Sequence, residues 1–483
     1  MSRNFIFYIL VIAIFGSVLW LVFNQGAKLE VVQGSQVGTG NPKVEAGAQN
    51  STVVFLQSLY QNLDHPLSLL LIQIVIIVSS SKLLASLVRK IGQPMVIGEV
   101  IAGILLGPSV FGHFLPGLSQ FIFQPASLPN LNFLSQLGLI LFMFIVGLEL
   151  DIHLLKHKAH TAVVVSHASI IIPFALGVSL AYFLYETFAP PHISFLAFGL
   201  FMGIAMSITA FPVLARILHE RGLTKTALGS LAITCAAADD VTAWCILAAV
   251  IAVVQAGSAI SALFTVLLSI VYVIAMFKLV RPWLERLETK YASPESLNRT
   301  FAVISFVILF LSALTTEVIG IHALFGAFLA GATMPAHPSF RKMLAARIED
   351  VSLVILLPLF FAFTGLKTQI GLLNDGTTWL VCGLIIFVAV AGKFGGSSLA
   401  AKFTGQSWGD SFVIGALMNT RGLVELIVLN LGYDLGVLPP TVFTMMVLMA
   451  LVTTFMTAPA LYWIERIRSK QEAMSVKSLP ERL

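Results

Sequence analysis

The 483-residue sequence is poor in charge, because only 11% of its residues are Asp, Glu, Lys or Arg. A soluble globule of this length needs more polar surface, and a hydrophobic content of 58% with a mean hydropathy of +0.94 excludes that class. The three cysteines lie inside apolar runs without metal-ligand or redox spacing, so we expect no disulfide scaffold or thiol site. The composition indicates an all-α polytopic membrane protein.

Apolar runs of about 20 residues recur along the chain and predict its membrane-spanning helices. Residues 1–64 contain an N-terminal hydrophobic segment, at about 5–23, and a polar stretch. That first segment fits a retained anchor helix or a cleaved signal peptide, and we favour the anchor. Residues 466–483 form a short tail. Between them we expect thirteen core helices, centred near positions 77, 103, 140, 173, 205, 240, 269, 311, 329, 360, 389, 421 and 451.

The basic residues predict the orientation of the chain. They cluster in alternate loops, for example at Arg89 and Lys90, at Arg341 and Lys342, and at Arg466. Because basic loops stay on the cytoplasmic side, we expect a cytoplasmic C-terminus and an external polar stretch before residue 64. The net charge of +5 is then explained by topology, and no nucleic-acid partner is expected.

Two parts of the chain resemble each other seven helices apart. Predicted helices two and nine share a Gly-x4-Gly pattern followed by proline, and helices three and ten share an apolar pair followed by Gly-Leu and Ile. Because seven is odd, the second copy would enter the membrane from the opposite side, which is the inverted-repeat plan of secondary transporters. Chance similarity among apolar helices is the alternative. The matching residues are Gly98, Gly103 and Pro108 with Gly326, Gly331 and Pro335, and then Leu141, Phe142, Gly147, Leu148 and Ile152 with Leu359, Phe360, Gly365, Leu366 and Ile370.

Such repeats often carry paired discontinuous helices near the bilayer midplane. The fifth predicted helix contains Ser207, Thr209 and Pro212, and proline frees a backbone carbonyl one turn earlier. The twelfth contains polar residues and a glycine at the matching depth, namely Asn419, Thr420, Arg421 and Gly422. We predict a true interruption in both helices. An ordinary proline kink is the alternative for the fifth.

Asp239 and Asp240 lie in the middle of the apolar sixth helix. An acidic residue at the bilayer centre costs about 2.5–3.5 kcal/mol on insertion scales, so two in succession indicate a functional site. Neighbouring helical residues point about 100° apart, so we expect one carboxylate to have a separate partner. Lys393 in the eleventh helix is the best candidate, either as a tunable proton-linked cation or as a fixed salt bridge. Arg421 and Glu425 are four residues apart and predict an internal ion pair supporting the broken helix, with direct contact to the substrate as the alternative.

Six ordered motifs resemble the monovalent cation:proton antiporters, in the branch of Kef-type potassium efflux proteins, plant CHX exchangers and bacterial sodium/proton antiporters. The similarity extends over about residues 66–465. The motifs are QPMVIGEVIAGILLGPS (93–109), FPVLARILHERGL (211–223), AAADDVTAW (236–244), ALFGAFLAGATMP (323–335), LPLFFAFTGLKT (357–368) and MNTRGLVELIVLNLG (418–432).

The resemblance implies a thirteen-helix homodimeric antiporter in which a mobile core moves against a dimerisation scaffold. On this plan residues 65–155 and 258–372 form the scaffold, and residues 156–257 and 373–465 form the ion-translocating core. Asp240 would bind the metal cation and the proton in turn, and Asp239 would pair with Lys393. Ser207, Thr209 and the broken backbone around them would supply oxygen ligands. Kef-type and CHX proteins carry a long soluble tail, whereas about twenty residues follow the last helix here, so we expect no regulation by such a domain within this chain.

We therefore expect a transporter and not an enzyme, without a cofactor. It would exchange Na+, or alternatively K+, for H+ in a bacterial inner membrane or a thylakoid membrane. Two other functions remain open from the residues alone. One is an ion channel that uses the acidic pair structurally, and the other is sodium-coupled uptake of an organic anion on a similar inverted-repeat scaffold.

Overall fold

A computed structural model describes most of the chain after residue 60. The described residues are 61–149, 159–220, 226–255, 259–291, 299–335 and 337–477, with Ser17, Trp20, Phe55, Ser58 and Leu59. The chain divides into two compact units at Asp64, and all helices named below belong to the second unit. The predicted N-terminal hydrophobic segment and the end of the predicted tail lie outside the described residues.

Within the described ranges every regular element is helical. The first half contains α1 (Pro66–Lys90), α2 (Met95–Leu106), α3 (Phe111–Phe114), α4 (Pro116–Ile122), α5 (Leu128–Glu149), α6 (Ala159–Phe188), α7 (Phe195–Ser207), α8 (Phe211–Glu220) and α9 (Ala227–Gln255). The second half contains α10 (Ala259–Ala275), α11 (Arg281–Tyr291), α12 (Arg299–Ile319), α13 (Ala323–Thr333), α14 (Pro338–Val351), α15 (Leu357–Lys367), α16 (Gly376–Val390), α17 (Gly396–Phe403), α18 (Trp408–Met418), α19 (Leu423–Asp434) and α20 (Pro440–Lys477). Three π-helical segments continue α10 into α11, α14 into α15 and α16 into α17, at Met276–Val280, Ser352–Leu356 and Ala391–Gly395.

Ten helical segments in the described part of the chain are long and apolar enough to cross a membrane. Two more apolar helices, α7 and α13, have only 13 and 11 residues, which is shorter than the roughly 20 residues that a full crossing needs. The predicted all-helical polytopic membrane fold is therefore confirmed. The number of thirteen core helices and the inverted repeat stay predictions, because sequence periodicity does not distinguish a short buried helix from a spanning one.

Glycines allow two pairs of helices to touch backbone to backbone. A Cβ atom built on Gly103 of α2 would lie 2.0 Å from the carbonyl oxygen of Ala362 in α15, and one on Gly365 would lie 2.4 Å from that of Val100. Such contacts exclude any side chain at these positions. Small residues at helix crossings are a common basis of close packing inside membranes, where apolar burial gives little driving force.

The second crossing, between α5 and α13, has the same construction. A Cβ atom on Gly147 would lie 2.1 Å from the carbonyl oxygen of Phe328, and one on Gly331 would lie 2.2 Å from that of Phe144. The sequence comparison above equates Gly103 with Gly331, and Gly147 with Gly365. Each crossing thus joins one helix from each half of the chain, at the positions that the predicted repeat relates.

We expect Gly331→Leu to lower the thermal unfolding midpoint of the detergent-solubilised protein. The added side chain must separate α5 from α13, and overpacking of this kind costs about 1–3 kcal/mol. The matched control is Gly383→Leu in α16, because a Cβ at Gly383 meets no atom within 4 Å. Equal midpoints for both variants would contradict the backbone contact.

Candidate functional site

Two interrupted helices lie against each other at the centre of the candidate site. The first gap separates the end of α7 at Ser207 from the start of α8 at Phe211, and the second separates α18 from α19. The backbone N–H of Ala210 in the first gap donates to the carbonyl oxygen of Thr420 in the second, at 3.0 Å. The polar stretches singled out in the sequence therefore coincide with the gaps and are hydrogen-bonded to each other.

Local sequence explains the first interruption. Ile208 is extended, with φ −74° and ψ 138°, so it ends α7. Pro212 is the second residue of α8, a position where the missing N–H has no partner to lose and the fixed φ suits a helix. Pro212 therefore lies in the first turn of a new half-helix instead of kinking a continuous one.

The second interruption is fixed by hydroxyl groups of α20. Thr454 Oγ1 donates to the carbonyl oxygen of Arg421 at 2.7 Å, and Thr457 Oγ1 lies 3.3 Å from Thr420 Oγ1. Asn419 is buried, and its Oδ1 atom has no hydrogen-bond partner. The broken backbone is thus held from one flank and leaves one unused side-chain acceptor.

The open C-terminal end of α7 receives two cations. Arg421 donates from Nη1 to the carbonyl oxygen of Ala205 at 2.9 Å and from Nη2 to that of Met206 at 2.5 Å. Lys393 Nζ donates to the carbonyl oxygen of Ser207. These carbonyls have lost their helical partners and carry the negative end of the helix dipole, so cations stabilise them.

Asp239 accepts from four donors and is completely buried. Its Oδ1 atom accepts from Ser166 Oγ at 2.6 Å. Its Oδ2 atom accepts from Ser169 Oγ at 2.5 Å and from Thr209 Oγ1 at 2.7 Å, and Lys393 Nζ lies 3.2 Å away. Charge-assisted hydrogen bonds of this kind are about twice as strong as neutral ones, so the Asp239 carboxylate is a satisfied structural anion.

Lys393 is brought to Asp239 by an irregular stretch of helix. It lies in the π-helical segment Ala391–Gly395 between α16 and α17, and its side chain is completely buried. Its ammonium also donates to the carbonyl oxygen of Ser169 in α6 at 2.8 Å. One lysine thus ties together α6, α7 and α9, and single-turn π segments of this type are frequent at functional sites.

Asp240 differs sharply from its neighbour. It is 3% exposed, and within the described part of the chain neither carboxylate oxygen has a hydrogen-bond partner. The backbone amide of Phe211, at the start of α8, lies close to this carboxylate without forming a hydrogen bond to it. A buried carboxylate without a partner is unfavourable, so this group is suited to take up a proton or a cation.

Arg421 also forms the predicted ion pair within the second broken helix. Its Nη1 atom lies 3.0 Å from Glu425 Oε1, and both side chains are fully buried. Glu425 Oε2 has no partner. The pair lies beside the Lys393 group, because Arg421 and Lys393 bind consecutive carbonyls of the same helix end.

The structure therefore brings together the residues predicted from the sequence, with one difference of detail. Thr209 directs its hydroxyl to Asp239, and Ser207 donates its own to the carbonyl oxygen of Ile204 at 2.9 Å. Neither hydroxyl hydrogen is aimed at Asp240. The role of these two residues as cation ligands stays a prediction.

Sequence reasoning missed Ser166 and Ser169. They are three residues apart in α6, a spacing that places two side chains on one helix face. That spacing was visible in the sequence. Serines are common in membrane helices, however, where they usually bond to their own backbone, and Ser169 Oγ also lies 2.8 Å from the carbonyl oxygen of Ser166.

We expect Asp239→Asn and Asp240→Asn to have opposite effects on stability. Asn at position 239 leaves Lys393 buried without its counter-charge, and breaking a buried ion pair costs about 3–5 kcal/mol. Asn at position 240 removes a carboxylate that has no partner. Thermal unfolding in detergent, without Na+ or K+, should therefore give a lower midpoint for the first variant and an unchanged or higher midpoint for the second.

The control is the double variant Asp239→Asn with Lys393→Met. Because it removes both charges, it should recover part of the stability lost in Asp239→Asn. An Asp239→Asn protein as stable as the wild type would contradict the structural role given to this carboxylate.

Comparison with known proteins identifies relatives over most of the chain. The family model described as "Sodium/hydrogen exchanger, transmembrane" matches residues 75–463. The Na(+)/H(+) antiporter NhaS4 of Synechocystis sp. is 44% identical over 394 residues, covering 81% of this chain and 96% of the relative. Cation/H(+) antiporter 17 of Arabidopsis thaliana is 41% identical over 398 residues, covering 82% of this chain and 48% of the relative. The chain thus spans about half the length of the plant protein.

The fold also has a solved counterpart. The structure of the sodium proton antiporter MjNhaP1 from Methanocaldococcus jannaschii superimposes with a TM-score of 0.59, covering 86% of this chain and 100% of that one. The two sequences are 16% identical, so this likeness concerns the fold alone.

Proposed function

The chain belongs to the sodium/hydrogen exchanger family, and on that premise we propose that it exchanges a monovalent cation for H+ across a membrane. Na+ is the favoured cation and K+ the alternative. The relatives reported above are named as antiporters and not as enzymes, and they support cation/proton exchange as the activity.

One observation carries this proposal. Asp239 and Asp240 are adjacent and buried, yet the first has four donors and the second has none. A carboxylate without a partner can hold a proton or a cation, but not both. Moving Asp240 between the two sides in either form would couple the two gradients without another energy source.

Oxygen atoms near Asp240 would complete a cation shell. A hard alkali cation needs several oxygen ligands in place of its water. We propose that these come from Thr209, Ser207 and the backbone of the first gap. Asn419, with its unused Oδ1 atom, and Thr420 would support the shell from the second gap.

The remaining polar residues have a supporting role in this proposal. Lys393 compensates Asp239, so the acidic pair carries one uncompensated charge instead of two. Arg421 and Glu425 hold the end of α7 against α19, and Pro212 lies in the first turn of α8. Together they keep the two gaps open at the depth of Asp240.

Access to Asp240 requires a conformational change, because the residue is 3% exposed. We propose alternating access in which the core, residues 156–257 and 373–465, moves against the scaffold, residues 65–155 and 258–372. The two glycine crossings lie within the scaffold, and they support the thirteen-helix inverted-repeat plan. A homodimer formed through the scaffold, a cytoplasmic C-terminus, and a bacterial inner or thylakoid membrane complete the proposal.

Proteoliposomes with an imposed pH gradient test the exchange. For the wild-type protein, we expect added Na+ or K+ to collapse the gradient in a saturable way, and Li+ tests the selectivity. Asp240→Asn should reduce this cation-driven collapse to the level of empty liposomes, because the amide binds neither a proton nor a cation. A pH-sensitive dye inside the vesicles reports the gradient.

The matched control is Glu285→Gln, which removes an exposed carboxylate that pairs with Arg281 one turn earlier on the same helix. This variant should exchange like the wild type. Full cation-driven collapse by Asp240→Asn would refute the assignment of Asp240. Conduction without coupling to the pH gradient would instead support a channel.

A further inference from the structure

Two polar contacts join α15 of the proposed scaffold to α19 of the proposed core. Asn430 Nδ2 donates to Thr364 Oγ1 at 2.7 Å. Lys367 Nζ lies 2.6 Å from Asp434 Oδ1. The two contacts are four residues apart on α19 and three apart on α15, in the same order. The helices therefore run in parallel and meet at two levels about one helical turn apart. We call the Asn430–Thr364 contact the inner rung and the Lys367–Asp434 contact the outer rung.

The inner rung leaves one atom unused. The two donors of the Asn430 amide go to Thr364 Oγ1 and to the carbonyl oxygen of Leu426, at 2.9 Å. The Thr364 hydroxyl donates its hydrogen to the carbonyl oxygen of Phe360, so towards Asn430 it can only act as an acceptor. These partners fix the amide orientation. Asn430 Oδ1 is then a buried acceptor without a partner, which is an unfavourable state for a polar atom.

The outer rung is built around the Lys367 ammonium. The Lys367 ammonium lies 4.7 Å from the ring centre of Phe363 and 5.2 Å from that of Tyr433, in addition to its contact with Asp434. The Lys367 side chain is 14% exposed, whereas that of Asp434 is 36% exposed. If the contact opens, Asp434 can be solvated in place, but Lys367 needs another acceptor.

We propose that Lys367 exchanges Asp434 for Asn430 Oδ1 when the core advances by one helical turn along the scaffold, so that the two rungs act as a ratchet for transport. The advance is about 6 Å along α19, in the direction in which α15 and α19 end. It brings Asn430 level with Lys367 and moves Asp434 further towards solvent. This inference rests on the proposed function, since alternating access is the movement it describes.

The direction follows from the cost of the reverse movement. Sliding α19 the other way would carry the Asp434 carboxylate to the level of Thr364, which is fully buried and has its hydroxyl engaged. A buried carboxylate without a cation is strongly unfavourable. The present register is thus one end of the movement, and the shifted register is the other.

The surrounding interface is compatible with such a step. Next to the rungs, Leu426 of α19 lies against Val96 and Val100 of α2, around a small apolar cavity. Apolar surfaces can slide without losing hydrogen bonds. Two further hydrogen bonds cross the same boundary, from Gln93 Nε2 to the carbonyl oxygen of Phe455 and from the N–H of Gln369 to Thr444 Oγ1, and both must open in the step.

Paired cysteines test the ratchet in membranes. In a background where Cys235, Cys245 and Cys382 are replaced by Ala, one pair combines Asn430→Cys with Thr364→Cys, and reports the present register. A second pair combines Leu426→Cys with Thr364→Cys, reports the shifted register, and keeps Lys367, Asn430 and Asp434. Mercuric ion bridges thiols that come into contact, and gel mobility after proteolysis between α15 and α19 detects the link. We expect both pairs to cross-link.

A third pair, Asn430→Cys with Phe360→Cys, reports the reverse slide, keeps the Asp434 carboxylate and Lys367, and should not cross-link. Cross-linking of this third pair, or failure of the Leu426 pair while the pair at Asn430 and Thr364 reacts, would overturn the ratchet. The readout is independent of the transported ion. Cross-links in both registers without any cation/proton exchange would refute the proposed function alone, whereas exchange without the shifted cross-link would refute the ratchet alone.

A kinetic test avoids the loss of Lys367. Asn430→Leu removes the acceptor of the shifted register, so we expect the maximal exchange rate to fall several-fold with an unchanged half-saturating cation concentration. Leu426→Met, on the same face of α19, is the control and should keep the wild-type rate. Size-exclusion chromatography in detergent checks that both variants are folded. An unchanged rate in Asn430→Leu, or a change in half-saturation alone, would overturn the proposal.

Discussion

The candidate site depends on how the protein surrounds two neighbouring carboxylates inside a membrane, where water solvates neither of them. Asp239 is supplied with three hydroxyl donors and an ammonium, whereas Asp240 is left without a hydrogen-bond partner. In water this difference would matter little, because solvent would satisfy both groups. Inside a bilayer an unpaired anion is unfavourable by several kcal/mol, so the difference supports the proposal that Asp239 is a structural charge and Asp240 the reactive one. The other polar residues of the candidate site maintain this difference between Asp239 and Asp240.

The interrupted helices contribute to the difference between Asp239 and Asp240 in two ways. A continuous helix would use its carbonyls internally, but the end of α7 offers three of them to Arg421 and Lys393. These cations are therefore held by backbone as well as by carboxylates. At the same time, the start of α8 presents its first amide towards Asp240, where the positive end of a helix dipole favours an anion.

Much of this organisation was predictable from the sequence. Ionisable residues, proline and paired glycines stand out within apolar helices because each is unfavourable there unless it has a purpose. The membrane class, the two interruptions, Lys393 as the partner of one carboxylate of the acidic pair, and the Arg421 pair with Glu425 were accessible in this way, whereas the assignment of Asp239 as that carboxylate came from the family resemblance. Ser166, Ser169, Thr454 and Thr457 were not, because a hydroxyl in a membrane helix can always bond to its own backbone. Their choice of partner depends on how helices pack, which periodicity alone does not specify.

The contacts within the proposed scaffold differ in kind from the contacts between the scaffold and the core. Within the proposed scaffold, Gly103, Gly147, Gly331 and Gly365 place backbones in direct contact, and these contacts leave no room for a side chain at the four positions. Between scaffold and core, apolar side chains meet around a few polar rungs, and one of these has a spare acceptor at Asn430. In the proposed ratchet, such a boundary has discrete registers separated by a helical turn, because only those registers would give Lys367 a partner. On the proposed function, the site at Asp240 would need both features, because a site that faced two sides in turn would require a rigid frame and a core with two defined resting positions.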